Sequence, residues 1–295
     1  MVTHMGIWKR LRLTLDMIKF EHSVFALPFA LTGAMLAWRS QGFPREGLLM
    51  KLVWIVVAMV AARSAAMTFN RVLDADVDAL NPRTKDRHLP AGKLSRGFAW
   101  GFTAVCVLVF MAAAAQLNSL CLLLAMPTLA VLFFYSYTKR FTSFSHLVLG
   151  FTLGMAPSAA WIAMTGTLDP TIVLLTLAVM FWTAGFDIIY SCQDFEFDSK
   201  SELYSMPKRL GIPRSLLVAR MLHVAMIVCL LLLVRGFGLG VISVAGAAAV
   251  MLLLIYEHSL VKPNDLSRVN AAFFTVNGYV SVLFFLFWAA DIYFA

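Results

Sequence analysis

The stretch WGFTAVCVLVFMAAAAQLNS, Trp100 to Ser119, runs twenty residues without a charged side chain. About 18 or more such residues suffice to cross the hydrocarbon core of a bilayer. Ser145 to Thr167 is a second run of the same kind, and the bias extends over the whole chain. Of its 295 residues 61% are hydrophobic and 14% charged, where a soluble domain carries roughly 25% charged residues. Mean hydropathy is +0.81. These values exclude a soluble enzyme, a disordered tail and a secreted disulfide scaffold. They predict a polytopic integral membrane protein.

Nine segments are predicted to span: 22–39, 49–72, 98–117, 119–137, 145–164, 170–190, 213–234, 239–257 and 271–291. Backbone in lipid must satisfy its own hydrogen bonds, and the alternation of a barrel is weak, so the spans are helices of an all-α bundle. Pro28, Pro127 and Pro157 fall inside spans and read as kinks. Residues 1–21 are set apart as an amphipathic interfacial helix, with Trp8, Leu11, Leu15 and Ile18 on one stripe. Residues 22–295 are then a single nine-helix transmembrane domain.

The net charge of +8 is not a nucleic-acid signal. Nineteen of the twenty-four Lys and Arg lie on the side shared by the amino terminus and the loops after even-numbered spans. Four lie opposite, and Arg63 is inside the second span. Basic loops stay in the cytoplasm, so the amino terminus is placed there and no nucleic-acid partner is expected. Four cysteines without CxxC spacing read as small buried hydrophobes.

Nine of the sixteen acidic residues fall in two short stretches, at the cytoplasmic ends of spans two and six. Each stretch carries the same spacing. Asn70, Asp74 and Asp78 form one ladder, and Tyr190, Asp194 and Asp198 the other. Four residues turn a helix by about 400°, so each triplet is expected on one narrow face. Carboxylates packed this closely need a cation. Mg²⁺ takes oxygen from one or two carboxylates and completes its shell with water and substrate phosphate. Two such ladders around a cavity at the cytoplasmic face suit a diphosphate held through Mg²⁺. Arg83, Arg87, Lys139, Arg140, Lys208 and Arg209 are predicted on the same side as phosphate donors. Arg63, two turns before Asn70, is an ionisable residue within a span and so a functional candidate.

At these residues the chain resembles a known family. NRVLDADVD (Asn70–Asp78), with NPRTKDR (Asn81–Arg87) and PAG (Pro90–Gly92), is similar to the first motif of UbiA-type intramembrane prenyltransferases. Asp187, Tyr190, Asp194 and Asp198 match the second, DxxYxxxDxxxD. Ser205 with Arg209, Leu210 and Gly211 resembles its tail, and YTKR (Tyr137–Arg140) the basic loop after span four. KFEHSVFALPFAL (Lys19–Leu31) and GFDIIYSCQDFEFD (Gly185–Asp198) look like the bacterial 4-hydroxybenzoate polyprenyltransferase branch. Lys19 where many members have Arg, and His88 where Pro is common, depart from the pattern.

The resemblance implies an enzyme of the bacterial cytoplasmic (inner) membrane that moves a polyprenyl group from its diphosphate to the ring of an aromatic acid. It implies Asp74, Asp78, Asp194 and Asp198 as Mg²⁺ ligands at the catalytic centre, with Arg83, Arg87, Lys139 and Arg209 on the leaving diphosphate. Asn70, Asp187 and Tyr190 orient the acceptor or the water around Mg²⁺. Arg63 takes either the acceptor carboxylate or the diphosphate. The acceptor is 4-hydroxybenzoate in ubiquinone-type biosynthesis, or a dihydroxynaphthoate in a menaquinone route. The bilayer is a partner because the isoprenoid tail leaves into it. Two rival classes fit less well. A CDP-alcohol phosphatidyltransferase requires a DGxxAR lead that is absent, and a secondary transporter keeps its ionisable groups near the midplane.

Overall fold

The apolar runs fold as helices, since only a helix satisfies its backbone within the segment. A computed structural model describes residues 6–18 and 25–294. In chain order its helices are α1 (Ile7–Met17), α2 (Leu27–Ser40), α3 (Leu48–Leu80), α4 (Arg96–Leu117), α5 (Ser119–Thr138) and α6 (Ser145–Thr165). Then follow α7 (Val173–Ser191), α8 (Phe195–Lys200), α9 (Met206–Leu210), α10 (Ile212–Gly236), α11 (Val241–Leu260) and α12 (Asn277–Phe294). Among the described residues β-pairing is limited to one isolated bridge between Lys262 and Asp265. All four cysteines are free.

Eight helices among the described residues are long and apolar enough to cross a bilayer: α3 to α7 and α10 to α12. The protein is an integral membrane protein. The ninth expected span corresponds to α2, seen over 14 residues; the beginning of that span, at 22–24, and Lys19 lie outside the described residues. Pro127 and Pro157 sit inside α5 and α6 as expected. Pro28 does not: it occupies the first turn of α2, where a missing N–H breaks no helical hydrogen bond.

The chain packs as two compact units, Met1–Ser23 with Leu52–Ser136, and Val24–Lys51 with Tyr137–Ala295. In the first, Phe69 of α3 stacks on Phe133 of α5 at 4.4 Å and meets Trp100 of α4 edge-on at 5.5 Å. Met17 and Ile18 at the end of α1 are buried with Val72 and Ala75 of α3 and Leu89, Leu94 and Ala99. The expected stripe of α1 is therefore split, with Ile18 inward and Trp8 and Leu15 exposed. The inward face is completed by Thr14, whose hydroxyl returns to the Arg10 carbonyl at 2.9 Å.

In the second unit α7 is the central helix, packed against α6 and α10. Small residues allow the α6–α7 approach, as is usual between helices in lipid. A Cβ on Gly150 would lie 2.2 Å from the Met180 carbonyl oxygen, and one on Gly154 would lie 2.5 Å from that of Thr176. Neither obstacle is a side chain that could turn aside. Gly150→Ala should therefore push the helices apart and lower the melting temperature in detergent, by an overpacking cost of ~1–3 kcal/mol. Gly101→Ala on α4, where nothing stands within 4 Å of the added carbon, is the control and should be neutral or stabilising. Equal melting temperatures for both variants would refute the close-packing account.

A polar chain runs through this apolar unit. Trp182 Nε1 donates to Asn277 Oδ1 at 2.7 Å, and Asn277 Nδ2 donates to Glu257 Oε1 at 3.0 Å. The same Nδ2 reaches the carbonyls of Ala272 and Phe273 at 3.1 and 3.2 Å, within a π-helical turn, Ala271–Val276, that opens α12. The wider turn releases carbonyls from the i→i−4 ladder, and Asn277 takes them up.

Candidate active site

In the first unit α3 continues past its apolar part as one helix of 33 residues, about 50 Å long. It therefore carries the whole first ladder in helical register. Asp74 and Asp78 are buried at 3% and 7% exposure. Asp76 points away and pairs with Arg96, their side chains being 80% and 53% exposed. Arg87 Nη1 donates to both oxygens of Asp78 at 2.8 and 2.7 Å. The loop that brings Arg87 back is built by its own turn chemistry. Asn81 Oδ1 accepts from the Arg83 N–H at 2.9 Å, and the Thr84 hydroxyl donates to the Asp78 carbonyl at 3.0 Å. Asn70 Nδ2 donates to Ser136 Oγ at 3.3 Å. Arg83 is exposed and Arg63 half-buried within α3. Arg71, not singled out from the sequence, stands close enough to Asp74 and Asp78 to be attracted by both.

In the second unit the ladder is not one helical face. α7 ends at Ser191, a 3₁₀ turn covers Cys192–Asp194, and α8 begins at Phe195. The cause is local competition for carbonyls. Ser191 Oγ and Cys192 Sγ both donate to the Ile188 carbonyl, at 2.8 and 3.4 Å, and Gln193 Nε2 donates to that of Tyr190 at 3.3 Å. A 3₁₀ turn advances about 120° per residue, so Asp194 and Asp198 are rotated from the face of Tyr190. Asp198 is buried, faces the hydroxyl of Ser205, and feels the charges of Asp194, Lys139 and Lys208.

Around Asp198 the cations are held by the chain itself. The Lys139 carbonyl accepts from the Tyr204 N–H at 2.8 Å. Lys208 Nζ donates to the carbonyls of Ser201 and Leu203 at 2.6 and 2.8 Å. Arg209 lies over the Phe144 ring at 5.7 Å. Phe141, Thr142, Ser143, Tyr204, Lys208 and Arg209 line a cavity of about 410 Å³. Tyr190 is fixed by aromatic contacts, its ring 4.2 Å from Phe273 and 6.0 Å from Phe274 of the π-helical turn. Asp187 Oδ2 is 2.6 Å from His146 Nδ1. Sequence reasoning misses His146 because it opens an otherwise uncharged apolar run. An ionisable group at the first turn of a span was the signal available.

Among the described residues no three His, Cys, Asp or Glu gather into a metal cage. Mg²⁺ does not require one, since one or two carboxylates suffice when phosphate and water complete the shell. Each ladder supplies two carboxylates, hard oxygen donors of the right chemistry, so the residues present fit that ion.

The pattern of the UbiA prenyltransferase family matches residues 26–289, and the chain belongs to that family. It is thus a membrane-embedded prenyltransferase. Among its relatives, the mitochondrial 4-hydroxybenzoate polyprenyltransferase of Arabidopsis thaliana is 35% identical over 150 residues, 50% of this chain and 37% of that protein. The 4-hydroxybenzoate octaprenyltransferase of Photobacterium profundum is 28% identical over 235 residues, 80% of this chain and 81% of that one. The apo structure of a UbiA homolog from Aeropyrum pernix K1 superposes with a TM-score of 0.82 at 33% identity, covering 92% of this chain and 98% of the other. A UbiA homolog from Archaeoglobus fulgidus, solved bound to DMAPP and Mg²⁺, shares the fold with a TM-score of 0.74 at 20% identity, covering 96% and 99%.

Proposed function

We propose that this protein transfers a polyprenyl group from polyprenyl diphosphate to the ring of an aromatic acid, 4-hydroxybenzoate, in ubiquinone-type quinone biosynthesis. The observation that carries the reading is the first half-site, two buried carboxylates on one face of α3 with Arg87 already on Asp78. In this reading both ladders serve one diphosphate, and Asp74, Asp78, Asp194 and Asp198 hold Mg²⁺ on it. Bound there, Mg²⁺ supplies charge neutralisation and Lewis acidity toward the leaving group.

The chain's own residues do the rest. Arg83, Arg87, Lys139 and Arg209 stabilise negative charge as the allylic C–O bond breaks and its electron pair goes to the diphosphate, which is preorganised electrostatic catalysis. Tyr190, held against Phe273 and Phe274, orients the acceptor or the water around the metal. The ring carbon ortho to the phenol oxygen then forms the new C–C bond, and loss of its proton to water or the departing diphosphate restores aromaticity. Asn70 and Asp187 orient the acceptor. Arg63 pairs through its planar fork with the acceptor carboxylate or with the diphosphate. In this reading the membrane is a bacterial cytoplasmic membrane, α1 lies in its interface, and the amino terminus and both ladders face the cytoplasm, an orientation that the lysine and arginine distribution supports.

The test is mass spectrometry of the product made by purified protein with one polyprenyl diphosphate and either 4-hydroxybenzoate or 1,4-dihydroxy-2-naphthoate. The expected product is 4-hydroxybenzoate carrying one polyprenyl group, with diphosphate released. Prenylation of the naphthoate alone would move the protein to a menaquinone route. No mass gain on either acid would overturn the aromatic-acceptor reading.

A further inference from the structure

His146 opens α6 and is buried, its side chain only 5% exposed. Its two ring nitrogens are used differently. Nε2 accepts from the Met206 backbone N–H at 3.3 Å, at the first residue of α9. Nδ1 faces Asp187 Oδ2 at 2.6 Å. A nitrogen that accepts from an amide carries no proton, so the ring proton sits on Nδ1 and is donated to Asp187. Ser205, the cap of α9, accepts from the Lys208 N–H at 3.3 Å, so the amide that selects the tautomer belongs to the short helix bearing Lys208 and Arg209. Among the described residues Asp187 has no other side-chain partner than His146.

We propose that His146 is a positioning residue: held in one tautomer by the Met206 amide, it fixes the rotamer of Asp187 and so the acceptor that Asp187 orients. The proposal rests on the reading of Asp187 as an acceptor-site residue. A purely structural role for His146, tying α6 to α9, is the competing account, and the two side-chain arms separate them. Asparagine places an amide near the Nδ1 position and keeps a donor for Asp187. Glutamine reaches the Nε2 position and keeps an acceptor for Met206.

The experiment measures acceptor KM, kcat and detergent melting temperature for His146→Ala, His146→Asn and His146→Gln, each alone and with Asp187→Asn. His146→Ala should reduce kcat/KM for the acceptor by ~10-fold to 100-fold, the usual cost of removing a partner that orients a functional group. His146→Asn should recover most of that loss and His146→Gln should not. In the Asp187→Asn background His146→Ala should add nothing, because residues that act through one another are not additive. Recovery by Gln and not Asn, or losses that multiply in the double variant, would overturn the proposal. ¹⁵N-histidine NMR on the wild-type protein gives a readout without turnover. A resonance with Nδ1 protonated, absent from His146→Gln, is expected, and an Nε2-protonated ring would refute the tautomer argument. If the wild-type protein prenylated no aromatic acid, the functional reading would fail while this resonance still reported on His146 and Asp187.

Discussion

Asp78→Asn and Asp194→Asn should each lower kcat and kcat/KM together, by roughly 10²-fold or more, while the proteins still extract and purify like wild type. Asparagine keeps the size of the side chain and still accepts a hydrogen bond, so packing along α3 and at the start of α8 survives. On the proposed reading, what is lost is one anionic oxygen ligand from a set that offsets a divalent cation beside a diphosphate. An interaction that strengthens as the leaving group departs appears in kcat as well as in kcat/KM, and the loss of one electrostatic partner costs on the order of 10²–10³. Asp76 is the control in the same helix. Its side chain is 80% exposed and paired with Arg96 in water, where ion pairs contribute little, so Asp76→Asn should be mild. EDTA should abolish prenyl transfer and Mg²⁺ restore it. If Asp76→Asn proved as damaging as Asp78→Asn, or if activity persisted in EDTA, the ladder reading would be wrong.

How far the sequence foretold this arrangement differs between the two ladders, and the difference is physical. The spacing of Asn70, Asp74 and Asp78 predicts one helical face, and α3 keeps them so because it runs as one α-helix from Leu48 to Leu80. The same spacing at Tyr190, Asp194 and Asp198 carries the same expectation, yet the face breaks. Ser191, Cys192 and Gln193 each turn a side chain onto a carbonyl of the preceding turn. Spacing describes an ideal helix, while short polar side chains at its end decide whether the helix continues. Pro28 teaches the same point about boundaries: hydropathy marks a span, and the position of proline in its first turn is set by capping.

The bundle was legible because lipid demands long uniform runs. The buried polar contacts between helices were not, because they join residues distant in sequence by single hydrogen bonds. His146 meets Asp187 across 41 positions, and Asn277 meets Trp182 across 95. Neither pair has a spacing rule. The π-helical turn that sets Phe273 against Tyr190 is likewise invisible in periodicity, since six residues of AAFFTV read equally well as ordinary span. A buried polar residue inside an apolar run is the trace such features leave, and Glu257, fully buried in α11, is another.

Arg87→Gln is expected to separate two roles that the geometry superimposes on one side chain. In this structure its Nη1 holds both oxygens of Asp78, so a structural account and a catalytic account both make Arg87 necessary. Removing it leaves a carboxylate, only 9% exposed, without that partner. Breaking a buried pair in this way costs up to about 3–5 kcal/mol, discounted here because the Arg87 side chain is itself 29% exposed. The melting temperature in detergent should therefore fall. Turnover should fall too, by ~10²–10³-fold, if Arg87 moves to the diphosphate as charge develops there. The double variant Asp78→Asn with Arg87→Gln distinguishes the causes. With the buried charge gone, melting temperature should return toward wild type, yet turnover should stay at least as low as in either single variant. Arg87→Lys should restore stability in part and turnover less, since an ammonium supplies charge without the planar pair of donors. Turnover that recovered along with melting temperature in the double variant would mean that Arg87 serves only to hold Asp78, and that another cation carries the leaving group.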